Sequence, residues 1–88
     1  MTEADRRDVF RGMAHPLRRR VLRRLADGEH TVGQLLSELD VAMPTLSRHL
    51  LLLRETNLVT QRVHGPYRLY RLNRGTVRRM QQWTSQII

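Results

Sequence analysis

One stretch of this sequence, around residues 43–55, restricts the possible folds more than any other. Leu46, Leu50 and Leu53 recur at the spacing of an α-helix, so they line one face of a single predicted helix. Pro44 fits only the first turn of such a helix, where its missing N–H would have no partner anyway. The opposite face is small, polar and basic. The sequence therefore predicts a helix with one buried stripe and one polar surface.

That polar surface has two readings. Thr45, Ser47 and Arg48 point away from the leucine stripe, and a polar, Arg-bearing helix face suits the major groove of DNA. An ordinary amphipathic helix with a solvated outer face would show the same pattern. Asn57 follows the helix, at a position that favours a left-handed cap residue.

The charge balance favours the DNA-binding reading. Sixteen basic residues face 8 acidic ones in an 88-residue chain, for a net charge of +8, and every basic residue is arginine. Such a surface is expected to bind an acidic polymer, and planar guanidinium groups suit both phosphate and guanine edges. A chain of this size forms one small domain with a limited core, so association into a homodimer would stabilise it.

Absent features narrow the choice further. The chain has no cysteine, which excludes disulfides and thiolate metal sites, and no apolar run approaches the length of a membrane span. We find no carboxylate pair, Ser/His/Asp set or phosphate-binding glycine loop, so we do not expect an enzyme. We expect a cytoplasmic protein without cofactors.

The residues before the central helix predict a second helix and a sharp turn. Thr31 and Gln34 have the spacing of a capping box, which would start a helix over residues 31–39. Asp40 then tolerates the left-handed backbone of a tight turn. Residues 31–55 thus form a predicted helix-turn-helix, with 31–39 as the positioning helix and 43–55 as the recognition helix.

An arginine-rich helix should precede the helix-turn-helix. His15-Pro16 marks its start, and Asp27-Gly28 its end. Five arginines between positions 18 and 24 crowd its outer side. They form either a solvated face or additional DNA contacts, and the sequence does not decide which of them touch DNA.

The period of the pattern changes after the recognition helix. Residues 58–63 and 67–72 are rich in alternating, β-branched and aromatic residues, and His64-Gly65-Pro66 between them suits a turn. We predict a β-hairpin over about residues 58–72. Its outward arginines and its tip make it a candidate wing that reaches DNA, whereas a plain edge hairpin with protective charges is the alternative. These outward and tip residues are Arg62, Arg68, Arg71, His64 and Tyr67.

Two terminal helices, about 3–13 and 74–87, carry more apolar residues than so short a chain is expected to bury. We predict that they join two chains into a homodimer; the alternative is that they pack back on their own domain. The predicted dimer residues are Val9, Phe10, Met13, Val77, Met80, Trp83 and Ile87.

These elements, taken in order, resemble the ArsR/SmtB family of winged helix-turn-helix repressors. The resemblance covers residues 9–73 and rests on His15-Pro16-Leu17-Arg18, Ser47-Arg48-His49-Leu50 and Leu53-Arg54-Glu55. It implies a mainly α-helical fold with a β-hairpin (α+β), in which residues 1–88 form one domain. It also implies a homodimer that represses transcription at a palindromic site on double-stranded DNA. The residues predicted to bind DNA are Thr31, Gln34, Met43, Pro44, Thr45, Ser47, Arg48, His49, Arg54, Arg62, His64, Gly65, Tyr67 and Arg68.

The chain departs from the family pattern at its metal sites. Members that sense metals through the positioning helix carry Cys-x-Cys where this chain has Thr31-Val32-Gly33, and residues 74–88 lack the Asp, His and Glu of the zinc-sensing members. The four histidines fall on different elements. We therefore predict no metal site. Ala42 replaces the usual Ser cap of the recognition helix, which puts the stability of that helix end in doubt.

The leading hypothesis is thus a homodimeric, metal-independent transcriptional repressor. The alternative is a protein-interaction module of winged-helix fold whose terminal helices dock another protein, with DNA contact secondary. The operator, the sign of regulation and any effector are open at this stage.

Overall fold

The computed structural model describes residues 1–88 and contains five helices and a three-stranded sheet. The helices are α1 (Glu3–Met13), α2 (Pro16–Ala26), α3 (Val32–Leu39), α4 (Met43–Glu55) and α5 (Arg74–Ser85). The strands are β1 (His30–Thr31), β2 (Val59–His64) and β3 (Tyr67–Leu72).

The helix-turn-helix forms as local sequence predicts. The Thr31 hydroxyl accepts the Gln34 N–H at 3.2 Å, and the Gln34 side-chain oxygen accepts the Thr31 N–H at 2.8 Å, which completes the capping box of α3. Asp40 adopts a left-handed backbone with φ 52°, so the chain turns into α4 within a few residues. Ala42 makes no side-chain cap bond, and Pro44 occupies the first turn of α4 as predicted.

The end of α4 is closed by a backbone motif. Asn57 has φ 61°, as its position predicted, and its N–H donates to the Arg54 carbonyl at 3.0 Å. The Leu58 N–H donates to the Leu53 carbonyl at 3.0 Å, which satisfies a second free carbonyl of the helix. Leu58 is fully buried in the core, so the prediction that it starts the hairpin strand is wrong by one residue.

One apolar core joins the helices to the sheet. The predicted stripe of α4 is confirmed, because Leu46, Leu50 and Leu53 are all buried. Aliphatic side chains of α2 and α3 cover that stripe, and the hairpin closes one end. The core residues are Val9, Leu17, Val21, Leu25, Leu35, Leu39, Leu46, Leu50, Leu53, Leu58, Val59, Tyr70 and Met80.

The sheet contains a strand that the sequence did not reveal. β1 pairs antiparallel with β3, in the register His30 to Tyr70 and Thr31 to Leu69, and the strand order is β1-β3-β2. Two residues are too few to show the period of a strand, and Thr31 was already assigned to the cap of α3. The strand fixes the base of the hairpin to the start of the positioning helix.

The terminal helices pack on their own domain more than predicted. Val9 is 2% and Met80 is 5% exposed, so the prediction that they remain for a second chain is wrong. The reason is close approach: α1 lies against the end of α4 at Gly12, which is itself buried. Phe10 stays 44% and Ile87 67% exposed, although Ile87 lies beyond α5, which ends at Ser85 rather than near residue 87.

Candidate nucleic-acid interface

The outer face of α4 presents the residues that periodicity placed there. Met43, Pro44, Ser47 and Arg48 are exposed, and Thr45 is half-buried beside them. The guanidinium of Arg48 has no hydrogen bond or ion pair within the protein. A free guanidinium next to small hydroxyl side chains on one helix face is able to bind base edges or phosphates.

The start of α3 offers a second polar group to the same side of the motif. Thr31 and Gln34, both in the predicted DNA-binding set, are engaged with each other through the capping box. The exposed Gln34 side chain uses only its oxygen there, so its amide nitrogen keeps its donors for a phosphate.

His49 faces α2 rather than the outer surface. Arg18 Nη1 lies 3.2 Å from His49 Nδ1, and because arginine only donates, this nitrogen accepts. The His15 ring lies 4.4 Å from the His49 ring, centroid to centroid. Burial lowers the pKa of His49, and the neighbouring His15, Arg18 and Arg48 lower it further. His49 thus stays neutral at pH 7, and its contacts favour a structural role over the predicted DNA contact.

The arginines of α2 divide into two groups, which the sequence could not separate. Three of them donate to the last carbonyl groups of α1 and α3, where a cation also interacts favourably with the helix dipole. Arg74 does the same for α2. The bonds run from Arg18 to Gly12 (2.8 Å) and Arg11 (2.8 Å), from Arg19 to Met13 (2.8 Å), from Arg20 to Leu39 (3.3 Å) and from Arg74 to Ala26 (2.8 Å).

The remaining two arginines of α2 are less constrained. Arg23 is exposed and has no partner, and Arg24 lies 3.8 Å from Glu38 across an exposed ion pair. Of the five, Arg23 and Arg24 are therefore the ones whose charge remains available to an external anion, whereas the other three serve mainly to join helices.

Arg62 on the hairpin is not the free cation that the sequence suggested. Its Nε and Nη2 donate to the two carboxylate oxygens of Glu29 at 2.8 and 3.1 Å. The hydrogen bonds from Arg62 lower the pKa of Glu29, and the same pair raises the pKa of Arg62. The charge of Arg62 is therefore balanced within the protein by a residue 33 positions away.

The outward arginines of the hairpin do not share one face. Arg62 pairs with Leu69 and Val63 pairs with Arg68, and because successive residues alternate, Arg68 lies on the face opposite to Arg62. Arg71 shares the face of Arg62 and donates to Thr60 at 3.1 Å. Arg68 is exposed without a partner. The tip residues His64, Gly65 and Tyr67 are exposed, as predicted.

Arg54, another predicted DNA contact, joins the recognition helix to the hairpin. With the Gln61 amide oriented to satisfy its neighbours, its oxygen accepts from Arg54 Nη1 and Nη2 at 3.0 and 2.9 Å. Its nitrogen then donates to the Tyr70 hydroxyl at 3.1 Å. Both Gln61 and Tyr70 were missed, because only the register of the folded hairpin brings them beside α4. Arg54 therefore positions the wing.

The rest of the molecule shows no competing site of a familiar kind. No group of three or more His, Asp or Glu side chains is placed to hold a metal ion. None of the helices has the length and apolar character needed to cross a membrane.

Comparisons with known proteins agree with this geometry. Residues 13–62 match the family described as a helix-turn-helix domain. A biofilm growth-associated repressor of Agrobacterium fabrum is 41% identical over 64 residues, which cover 73% of this chain and 55% of the relative. The transcriptional repressor SdpR of Bacillus subtilis is 26% identical over 81 residues, 92% of this chain and 90% of the relative.

A solved structure extends the match to the whole fold. An ArsR-like transcriptional regulator from Rhodococcus sp. RHA1 superposes with a TM-score of 0.90 at 22% identity, covering 99% of this chain and 83% of that one. This likeness concerns the fold alone, and the chain spans little more than half the length of the Agrobacterium relative. Together with the sequence match, it shows that the chain belongs to the helix-turn-helix domain family, as a winged helix-turn-helix transcriptional regulator of the ArsR/SmtB type.

Proposed function

We propose that this protein is a homodimeric transcriptional repressor that recognises a palindromic DNA site with α4 in the major groove. The observation that carries the proposal is the exposed, unpartnered guanidinium of Arg48, between the small side chains of α4 and above a fully buried leucine stripe. Such a helix can enter the groove without exposing its apolar face.

The residues divide into two DNA-facing roles. Thr45, Ser47 and Arg48 would read base edges, because they project from the part of α4 that is not covered by the rest of the fold. The Gln34 amide and the free guanidinium of Arg68 would bind backbone phosphates on either side. The net charge of +8 would draw the protein to DNA before these contacts form.

Dimerisation is proposed through the apolar residues that the domain leaves uncovered. The Phe10 ring meets the Trp83 ring edge-on at 5.7 Å between centroids, and both lie on the outer side of the terminal helices. Ile87 and Ile88 extend this apolar surface past α5. A two-fold dimer that covers it would present two copies of α4 to the two halves of a palindrome.

Repression, rather than activation, is supported by the printed names of the Agrobacterium and Bacillus relatives, both of which are repressors. The same names give no support to a protein-interaction module without DNA contact. We propose a cytoplasmic regulator that responds to no metal, since its His, Asp and Glu side chains form no ligand cluster.

A genome-wide footprint combined with a reporter tests this function. The wild-type chain should protect discrete, roughly palindromic sites, and deleting its gene should raise expression from the neighbouring promoters. The Arg48→Ala variant, expressed to the same level, should lose those sites. Protection that follows local DNA accessibility without a shared sequence would contradict sequence-specific binding, and a fall in expression on deletion would contradict repression.

A further inference from the structure

We propose that Glu29 competes with the DNA backbone for Arg62, and so sets how strongly the wing holds DNA. The inference rests on the proposed function, since it concerns a contact within that interface. It assigns a role to Glu29, which lies outside the helix-turn-helix and outside the hairpin.

The geometry of the pair is that of an anion site already filled from within. The Nε and Nη2 atoms of Arg62 grip both oxygens of Glu29, at 2.8 and 3.1 Å, in the same two-point pattern by which arginine grips a phosphate. Glu29 immediately precedes β1 and Arg62 lies on β2, with β3 between them in the sheet. The carboxylate thus reaches across the middle strand to meet the guanidinium.

The pair is accessible to an external anion. The Arg62 side chain is 51% and the Glu29 side chain 32% exposed. A guanidinium has five N–H donors, and the two hydrogen bonds to Glu29 leave the others free on the outer edge. A phosphate approaching that edge meets a carboxylate of like charge beside its target, so Glu29 opposes the contact as long as it is ionised.

Glu29 remains ionised at neutral pH. Its hydrogen bonds with Arg62 lower its pKa, and the positive charges of Arg71 and His64 add to that effect. Arg68 differs from Arg62 because no acidic residue holds it. The wing therefore carries one free guanidinium and one that must leave its internal partner, or share it, before DNA gains from its charge.

The test uses the full-length chain and a labelled duplex of random sequence, about 30 base pairs long, which spans a dimer-sized site. Glu29→Gln should bind about two- to fivefold more tightly, the equivalent of releasing one exposed ion pair. If one more phosphate contact forms, the loss of affinity between 50 and 200 mM salt should be about 3.5-fold greater than in the wild type. Both effects should be small in an Arg62→Gln background.

Matched variants separate this contact from general electrostatics. Glu38→Gln removes the same charge from a residue that pairs with His30 at 3.2 Å and Arg24 at 3.8 Å instead of Arg62. It should change binding less than Glu29→Gln does. A duplex selected by the wild type from a random pool, tested with Arg48→Ala, reports separately on sequence reading by α4.

Three results would overturn the competition. Weaker binding by Glu29→Gln would mean that the carboxylate orients Arg62 for DNA, and unchanged binding would mean that this edge of the wing does not meet DNA. An equal gain in the Arg62→Gln background would show only a long-range charge effect. Failure of the proposed function looks different, because the wild type would then select no sequence from the pool and Arg48→Ala would change nothing.

Discussion

Gly12 should be the least replaceable glycine of the chain, because it sets how closely α1 approaches the end of α4. A Cβ added there would lie 2.5 Å from Leu58 Cδ1 and 2.8 Å from Thr56 Oγ1. Leu58 is fully buried, and the Thr56 hydroxyl is held by bonds to two helix carbonyls at 3.0 and 3.2 Å. Neither neighbour can move away without disturbing the core or breaking a hydrogen bond.

The size of the effect follows from two opposing terms. Forcing a methyl group into a filled site costs about 1–3 kcal/mol, and the rigidity of both neighbours places Gly12→Ala in the upper part of that range. Replacing a helical glycine by alanine returns roughly 0.5–1 kcal/mol. The free energy of unfolding should thus fall by about 1–2 kcal/mol, which lowers the Tm of a domain this size by about 4–15 °C.

Gly33→Ala is the matched control. Gly33 also lies in a helix, but the nearest atom to its added Cβ is Thr31 Oγ1 at 3.9 Å, an ordinary contact. That variant should therefore gain up to about 1 kcal/mol from the helix term alone. Thermal unfolding followed by circular dichroism, at one protomer concentration because a dimer's Tm depends on it, compares the two. If Gly12→Ala melts as high as Gly33→Ala, the close packing of α1 on α4 is refuted.

Four further outcomes are expected. Arg48→Ala should cost about 1–3 kcal/mol of discrimination between a selected duplex and a random one, whereas Arg68→Ala should weaken both alike and reduce the salt slope by about one; binding curves at several salt concentrations would show an exchange of these roles as the contrary result. Phe10→Asp should give a folded monomer in sedimentation experiments, and a dimer that persists would place the interface elsewhere. Because burial lowers the pKa of His49 in the folded state, the unfolded chain binds the proton more readily, and stability should be lost as the pH falls through the ordinary histidine pKa of about 6.5. A Tm profile from pH 8 to about 5.5 should be flatter for His49→Gln, and identical profiles would exclude this source. Zinc, cadmium and arsenite at one equivalent should leave the DNA complex intact in a gel-shift titration, and release at one metal per subunit would contradict that.

The division of the arginines shows where reasoning from sequence stops. Arg48 lies on a helix face opposite a leucine stripe, so periodicity alone placed it outward, and the structure agrees. Arg54 and Arg62 looked equally available in the sequence. Each is instead engaged by a side chain from another element, Gln61 for the first and Glu29 for the second. A charge on the surface can be predicted locally, but the partner that occupies it cannot.

The sequence by itself determined the features that depend on neighbours along the chain. The capping box of Thr31 and Gln34 and the left-handed turns at Asp40 and Asn57 join residues a few positions apart, where backbone sterics and local hydrogen bonds decide the conformation. The same holds for the buried stripe of α4, because helical spacing places its leucines on one side whatever covers them.

Only the tertiary structure decided what each of these surfaces meets. It buried Val9 and Met80 within the domain and brought Gly12 against Leu58. It also formed β1, whose pairing with β3 brings together residues about 40 positions apart. An apolar pattern says that a side chain must leave water, but it does not say which element will cover it. That choice depends on how closely whole helices and strands can approach one another once all of them compete for the same small core.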